Sequence, residues 1–233
     1  MSLPTFNGQT EQIKLPAPTP ASKDIPEFYV KAKRWMGEDN KPVISGYQAN
    51  HDVKSCVSFL DSFTHGYFLT TWTDAQVNAI DETVSNINWL TTPDMVTLRT
   101  SELASTLPVP AGHTNQQFAW IGQWGIEVPK GYSVLITHPF NRFDLPFTTL
   151  SGIIDGDSYH ASGNLPFFLK SGWEGIIPAG TPFAQVIPIK RDNWTSEVGT
   201  SEDINKVAQQ SYDSRRVVSG LYKKKYWSRK SFE

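Results

Sequence analysis

Short apolar runs separated by turn residues recur through residues 128–194, at a spacing that predicts antiparallel β-strands. The turn Val128-Pro129-Lys130-Gly131-Tyr132 leads into a run over 133–137, which Pro139 ends because proline cannot donate to a ladder. Further runs cover 148–154, 165–169 and 183–189, the last carrying Pro188, which argues for an edge strand or a strand end. Upstream, alternation predicts a strand over 27–36 and a hairpin within 55–80 that turns at His65-Gly66. Two short strands broken at Thr92-Pro93-Asp94 follow within 85–100, then a turn-rich loop over 101–117. An aromatic strand is expected over 118–127, where Gly122 and Gly125 suggest a bulge or a close backbone approach. The best helical pattern comes late. Thr200 or Ser201 can cap it, Glu202 and Asp203 suit the positive helix start, and Ile204, Val207, Ala208 and Tyr212 follow at helical spacing. The expected class is therefore all-β, mostly antiparallel, with a C-terminal helix between about 201 and 218.

A length of 233 residues suits one β domain with dressed ends. Residues 1–26 form an extended arm rich in proline (Pro4, Pro16, Pro18, Pro20 and Pro26), 27–194 the β domain, and 195–233 a helix followed by a basic aromatic tail. The arm reads either as a loose terminus or as a strap across a neighbour in an oligomer. A net charge of −2 gives no overall reason to expect a polyanion or an anionic membrane as partner, and no apolar run approaches spanning length. Residues 1–10 lack the apolar centre of a secretory signal. The charge is uneven, however. Lys223, Lys224, Lys225, Arg229 and Lys230 face only Glu233 in the last twelve residues, so nucleic acid is a conceivable partner through this tail alone. Docking of the tail on a protein surface is the competing expectation, because the rest of the chain is net negative. The single cysteine, Cys56, rules out an intrachain disulfide and a multi-cysteine metal site. It reads as a small buried hydrophobe in a chain suited to a reducing interior or to a virus assembled there.

Candidate chemistry gathers at strand ends in residues 128–194. His138-Pro139-Phe140-Asn141-Arg142 can form a ligand rim, with Arg142 suited to a bidentate carboxylate or phosphate contact. Equally, Arg142 can pair with Asp144 or Asp155 while Asn141 closes a turn. Asp155 and Asp157 project to one side if the backbone stays extended, where they can hold a divalent cation or activate a water. Asp-Gly-Asp is also ordinary turn chemistry. Gln185 sits among apolar neighbours, where a buried amide needs partners, a ligand among the possibilities. The expected site thus joins Asn141, Arg142, Asp155, Asp157 and Gln185 in one polar pocket.

Two resemblances bear on these residues. The patterns GY…PFNR, LSGIIDGDSY, GTPFAQVIPIKR and KSCVSFLDSFTHGYFL make residues 53–194 resemble a family of tailed phages and bacteria that carries no assigned function. That resemblance implies a phage or marine viral origin, with the host cytoplasm or the virion as location. Within the central stretch, the order VPKGYSVLI, PFNR, GIIDGDSY, AGTPFAQVI resembles the β-clip fold of dUTPases and dCTP deaminases. A β-clip then stands beside a jelly-roll-like sandwich as the expected architecture. The resemblance implies that Asp155 matches a water-activating carboxylate, Tyr159 the residue packing on the sugar, Arg142 a phosphate contact, and Gln185 the glutamine of the last strand. Ser158 is an insertion before Tyr159, the family's Arg-Ser pair appears as Asn141-Arg142, and the glycine-rich phosphate-closing tail is missing from the pattern. Three functions follow as expectations. One is a binding or assembly module with a polar pocket, working as a homo-oligomer or with other phage proteins. Another is a virion component. The last is a dUTPase-like hydrolase, the only one of the three that calls for Mg²⁺; no metal site is expected otherwise.

Overall fold

A computed structural model describes residues 17–34, 37–41, 44–45, 48–49, 53–81, 84–89, 91, 93–99, 107–161, 163–216 and 220–232. The chain order is β1 (Thr19–Pro20), α1 (Glu27–Lys31), β2 (Ile44–Ser45), β3 (Gln48–Ala49), α2 (Val57–Thr64), β4 (Tyr67–Thr70), β5 (Ala75–Ala79) and β6 (Ser85–Asn88). It continues with β7 (Val96–Leu98), β8 (His113–Ile121), β9 (Tyr132–Thr137), β10 (Phe147–Thr149), β11 (Gly152–Ile154), β12 (Asn164–Lys170), β13 (Gly175–Ile177) and β14 (Pro182–Lys190). Helices α3 (Ser201–Arg216) and α4 (Leu221–Lys225) end it. The strand pairs are antiparallel and form a five-stranded sheet β1-β4-β14-β9-β11, a four-stranded sheet β10-β12-β8-β7, a three-stranded sheet β13-β5-β6 and the small pair β2-β3. The fold is all-β and antiparallel with a C-terminal helix, as the succession of apolar runs and turn signals predicts.

The layers meet at Trp120, which is fully buried on β8. Its ring stacks on Phe167 of β12 at 4.1 Å and on Phe183 of β14 at 4.9 Å, and meets Phe147 of β10 edge-on at 5.0 Å. Phe183 belongs to the five-stranded sheet and the others to the four-stranded one, so this aromatic cluster binds the two faces together. Ala75, Val77 and Ile177 of the three-stranded sheet join the same core.

Several sequence expectations are corrected. Residues 27–31 are helical, not extended: Pro26 pre-sets the backbone at the cap, and Glu27 pairs with Lys31 one turn on, at 2.6 Å. Helix α2 replaces the first arm of the expected hairpin, because Phe59 and Phe63, four residues apart, meet edge-on at 5.4 Å while Phe63 is buried. His65-Gly66 is instead a helix-to-strand corner. Gly66 has a φ of +74°, and a Cβ there would lie 2.2 Å from the Val186 carbonyl oxygen. Cys56 is exposed at the cap of α2 rather than buried.

The expected strand over 148–154 is two strands in different sheets. β10 pairs with β12 and β11 with β9, so Leu150 and Ser151 carry the chain across a corner of the sandwich. Strand β14 lies inside its sheet rather than at the edge, and Pro188 is accommodated because the pairing with β4 ends at Val186. Strand β8 begins at His113, inside the expected loop, and ends at Ile121. Beyond it, Gly122 donates to the Gly163 carbonyl at 3.0 Å and Gly125 forms a single bridge with Ala161.

The two ends dock on the domain. The arm expected over 1–26 lies outside the described residues up to 16, but β1 pairs with β4, and buried Ala21 donates its N–H to the Gly66 carbonyl at 2.9 Å. At the other end, Asp61 of α2 accepts from the Trp227 indole at 2.9 Å and pairs with Lys230 at 2.6 Å, while Phe232 packs edge-on against His65 at 4.7 Å. Helix α3 begins with a reciprocal cap in which Thr200 donates to the Asp203 carboxylate and Asp203 N–H donates back to the Thr200 hydroxyl. Among the described residues no helix is long and apolar enough to cross a membrane.

Candidate functional site

The outer face of the five-stranded sheet carries the polar residues singled out in the sequence, and strand parity decides which of them meet. Residues 185, 187, 189 and 191 point to the same side, and in register Gln185 lies beside Thr137 while Ile189 lies beside Ser133. Ser133 and Thr137 stand at opposite ends of β9, about 13 Å apart at the usual strand rise. The single pocket expected from Asn141, Arg142, Asp155, Asp157 and Gln185 is therefore not formed. The residues fall into two groups.

At one end, β11 runs into the turn Asp155-Gly156-Asp157. A Cβ on Gly156 would press on Val128 and Val134 at 3.2 Å, so glycine lets the turn sit tightly against the sheet. Both carboxylates bind Arg191: its Nη1 donates to Asp155 Oδ1 at 3.0 Å and to Asp157 Oδ1 at 3.0 Å, and its Nη2 donates to Asp157 Oδ2. Ser133 also donates to Asp155, at 2.7 Å, and the Gly131 N–H to Asp157, at 2.9 Å. The bonds from Arg191 and then from Gly131 hold the Asp157 carboxyl below the usual carboxylate range. The backbone turns at Gly156 instead of staying extended, the two carboxylates converge across that turn, and the cation between them is a guanidinium. Ser158 lies within the turn, where the N–H groups of Ser158 and Tyr159 both donate to the Asp155 carbonyl, at 3.0 and 2.9 Å. Tyr159 is left 58% exposed and off the strand.

At the other end, Gln185 is fully buried and its amide is completely used. Its Oε1 accepts from the Phe140 N–H at 2.9 Å, and its Nε2 donates to the carbonyls of Ser62 at 3.0 Å and His65 at 2.6 Å. The side chain thus ties α2, β14 and the turn after β9 together, and protein groups supply the partners for which a ligand was considered. Asn141 adopts φ +60° in that turn and donates to the Ser62 hydroxyl at 2.9 Å. Arg142 makes a bidentate pair with Asp144, with Nε–Oδ1 at 3.0 Å and Nη2–Oδ2 at 3.0 Å. Burial opposes ionisation of Asp144, but the hydrogen bonds and charge of Arg142 outweigh it and hold the carboxyl below its ordinary value. His138 accepts the Thr149 N–H at Nδ1, 3.3 Å away, which leaves Nε2 to donate to the Arg142 carbonyl at 3.1 Å. Burial pushes its pKa down, in keeping with this neutral tautomer.

Two clefts lie beside these groups, and both are lined by apolar side chains. One, of about 340 Å³, opens between the inner face of the five-stranded sheet and residues 124–128, walled by Tyr67, Leu69, Trp124, Val134 and Val186 with exposed Glu127 beside them. The other is a groove of about 260 Å³ between Phe28, Phe59 and Phe143, flanked by Asn141 and Asp144. They can receive an apolar or aromatic group, whereas the polar pairs beside them hold the fold. Among the described residues no three His, Cys, Asp or Glu side chains are placed to hold a metal ion. Arg191 went unrecognised in the sequence as the residue on which both carboxylates converge. The parity of 185, 187, 189 and 191 was the available signal. Compared with protein-family models and with curated proteins, the chain matches none.

Proposed function

We propose that the protein is a non-catalytic assembly module that joins copies of itself through the segment linking β14 to α3. The observation that carries this reading is residues 191–200, where every residue is exposed and no regular structure forms. Trp194 is 86% exposed and Val198 entirely so. A tryptophan held in water on an extended arm forfeits a large burial energy, and it is the residue type that most often anchors protein–protein contacts. A second copy is the natural acceptor, since closed homo-oligomers are the commonest assemblies. The polar groups of the central stretch support the non-catalytic part of the reading: Asp155 and Asp157 are engaged by Arg191, Arg142 by Asp144, and Gln185 by three backbone groups. The resemblance to tailed-phage proteins favours the virion or the host cytoplasm as the setting. Light scattering of the full chain beside a Trp194→Ala, Val198→Ala variant tests the proposal. A multiple of the chain mass that falls to a single mass in the variant supports it; a single mass for both removes it.

One observation favours a second reading, dUTPase-like nucleotide hydrolysis. The Asp155 side chain is 63% exposed at a strand end and remains open to a ligand. Mg²⁺-dependent turnover of nucleoside triphosphates, abolished by Asp155→Asn, would establish that reading in place of the first.

A further inference from the structure

Helices α3 and α4 lie against each other, and Gly220, with φ +75°, is the N-cap of α4. Between them lies a cleft of about 480 Å³, lined by Val207, Gln210, Ser211 and Ser214 of α3, by Tyr222 of α4 and by Tyr226 at its C-cap. The tyrosines are four residues apart, so they share a helix face, and they are 45% and 41% exposed. The Lys225 ammonium lies 5.3 Å from the centre of the Tyr226 ring. Lys223 and Lys225 are exposed on the same helix and Arg229 is exposed beyond its end, and no acidic residue occurs between Asp213 and Glu233. The helix is not a loose end, because Trp227 and Lys230, just beyond it, are fixed to Asp61 of α2.

From this arrangement we infer that the α3–α4 cleft binds single-stranded nucleic acid, with bases stacked on Tyr222 and Tyr226 and neighbouring phosphates neutralised by Lys223 and Lys225. The volume is that of a small-ligand site and accommodates a nucleobase with its sugar. Paired aromatic faces bordered by cations are what sequence-tolerant recognition of single strands requires, and a stacked duplex offers no free base faces to such rings. Gln210, Ser211 and Ser214 add polar groups that can meet base edges. The lysines alone would attract any polyanion. The tyrosines are what favour a base over an acidic peptide. Because the rest of the chain is net negative, contact is confined to this end and involves few phosphates, which makes binding modest and salt-dependent.

Fluorescence anisotropy of a labelled oligothymidylate with the full chain tests the inference. Binding is expected at low salt. Replacing both rings by Tyr222→Ala and Tyr226→Ala is expected to weaken it about tenfold or more, while Tyr222→Phe with Tyr226→Phe retains it. Lys223→Gln with Lys225→Gln is expected to make the slope of log affinity against log salt shallower by about 1.4. The ring-deleted variant must keep the circular dichroism of the parent; if it does not, Tyr222→Leu with Tyr226→Leu, which keeps apolar bulk without a ring, takes its place and is expected to weaken binding equally. The inference is overturned by failure of the oligonucleotide to bind at low salt, by equal binding of the alanine pair or of duplex DNA, or by displacement with polyglutamate as readily as with unlabelled oligothymidylate.

Discussion

The Thr149 hydroxyl accepts the indole N–H of Trp120 at 3.1 Å, deep in the core. The same hydroxyl donates to the Phe183 carbonyl at 2.6 Å, so one side chain links the four-stranded sheet to the five-stranded one. Thr149→Val keeps the shape but leaves the buried indole donor without a partner. The expected loss is about 1–3 kcal/mol in urea unfolding at neutral pH. Thr149→Ser retains the oxygen and should cost less. Equal stability of the valine variant and the parent would show that the hydroxyl does not join the sheets.

Gln185 holds three backbone groups from two separate parts of the chain, the end of α2 and the turn after β9. Gln185→Leu preserves bulk while stranding the Phe140 N–H and the carbonyls of Ser62 and His65. A loss of about 3 kcal/mol or more is expected, together with faster hydrogen exchange at the Phe140 amide. Were Gln185 instead a ligand group, the leucine variant would lose little stability.

Acid should destabilise the fold in two stages. His138 is neutral in the folded chain, with its pKa lowered chiefly by burial, so it binds fewer protons than in the unfolded chain. Its contribution is complete above its ordinary value of 6.5 and is lost as pH falls from there through the folded pKa. The groups facing it are Arg142, Asp144 and His113. His65, also lowered by burial, acts in the same direction. The second stage belongs to Asp144 and Asp157, whose lowered values give stability that is present above about 3.8 and lost as pH falls through their folded pKa values. Urea midpoints at pH 7.5 and 5.5 check the first stage. The parent should lose stability between them, and His138→Gln should lose less; identical losses would place the titration elsewhere.

Short apolar runs bounded by turn residues made the all-β class legible, along with the runs that became β9, β12 and β14, because strands with consecutive buried residues leave a continuous apolar signal. The capping pair Thr200 and Asp203 likewise marks the start of α3 at sequence level. What escaped were short elements whose period is ambiguous. Residues 27–31 alternate over too few positions to separate a strand from a helical turn, and the Phe59–Phe63 contact belongs to either period until tertiary packing chooses. The corner at Leu150-Ser151 is marked only by the pair Ser151-Gly152, a turn signal inside a seven-residue stretch short enough for one strand, so two strands read as one. For the candidate site, the residue types were visible but their grouping was not. Three residues of β9, Val134, Leu135 and Ile136, lie between the two clusters, and the internal partners, Arg191 and the carbonyls at the end of α2, come from distant parts of the chain.

The central claim, that residues 191–200 engage a second copy, is most directly tested with a photoreactive benzophenone side chain at position 194 of the full-length protein. Irradiation followed by mass spectrometry reads which surface lies against it. Adducts at twice the chain mass, found between differently isotope-labelled chains when the two preparations are mixed, are the expected result. Adducts only within one chain, or none at concentrations well above those of the light-scattering experiment, would contradict the account.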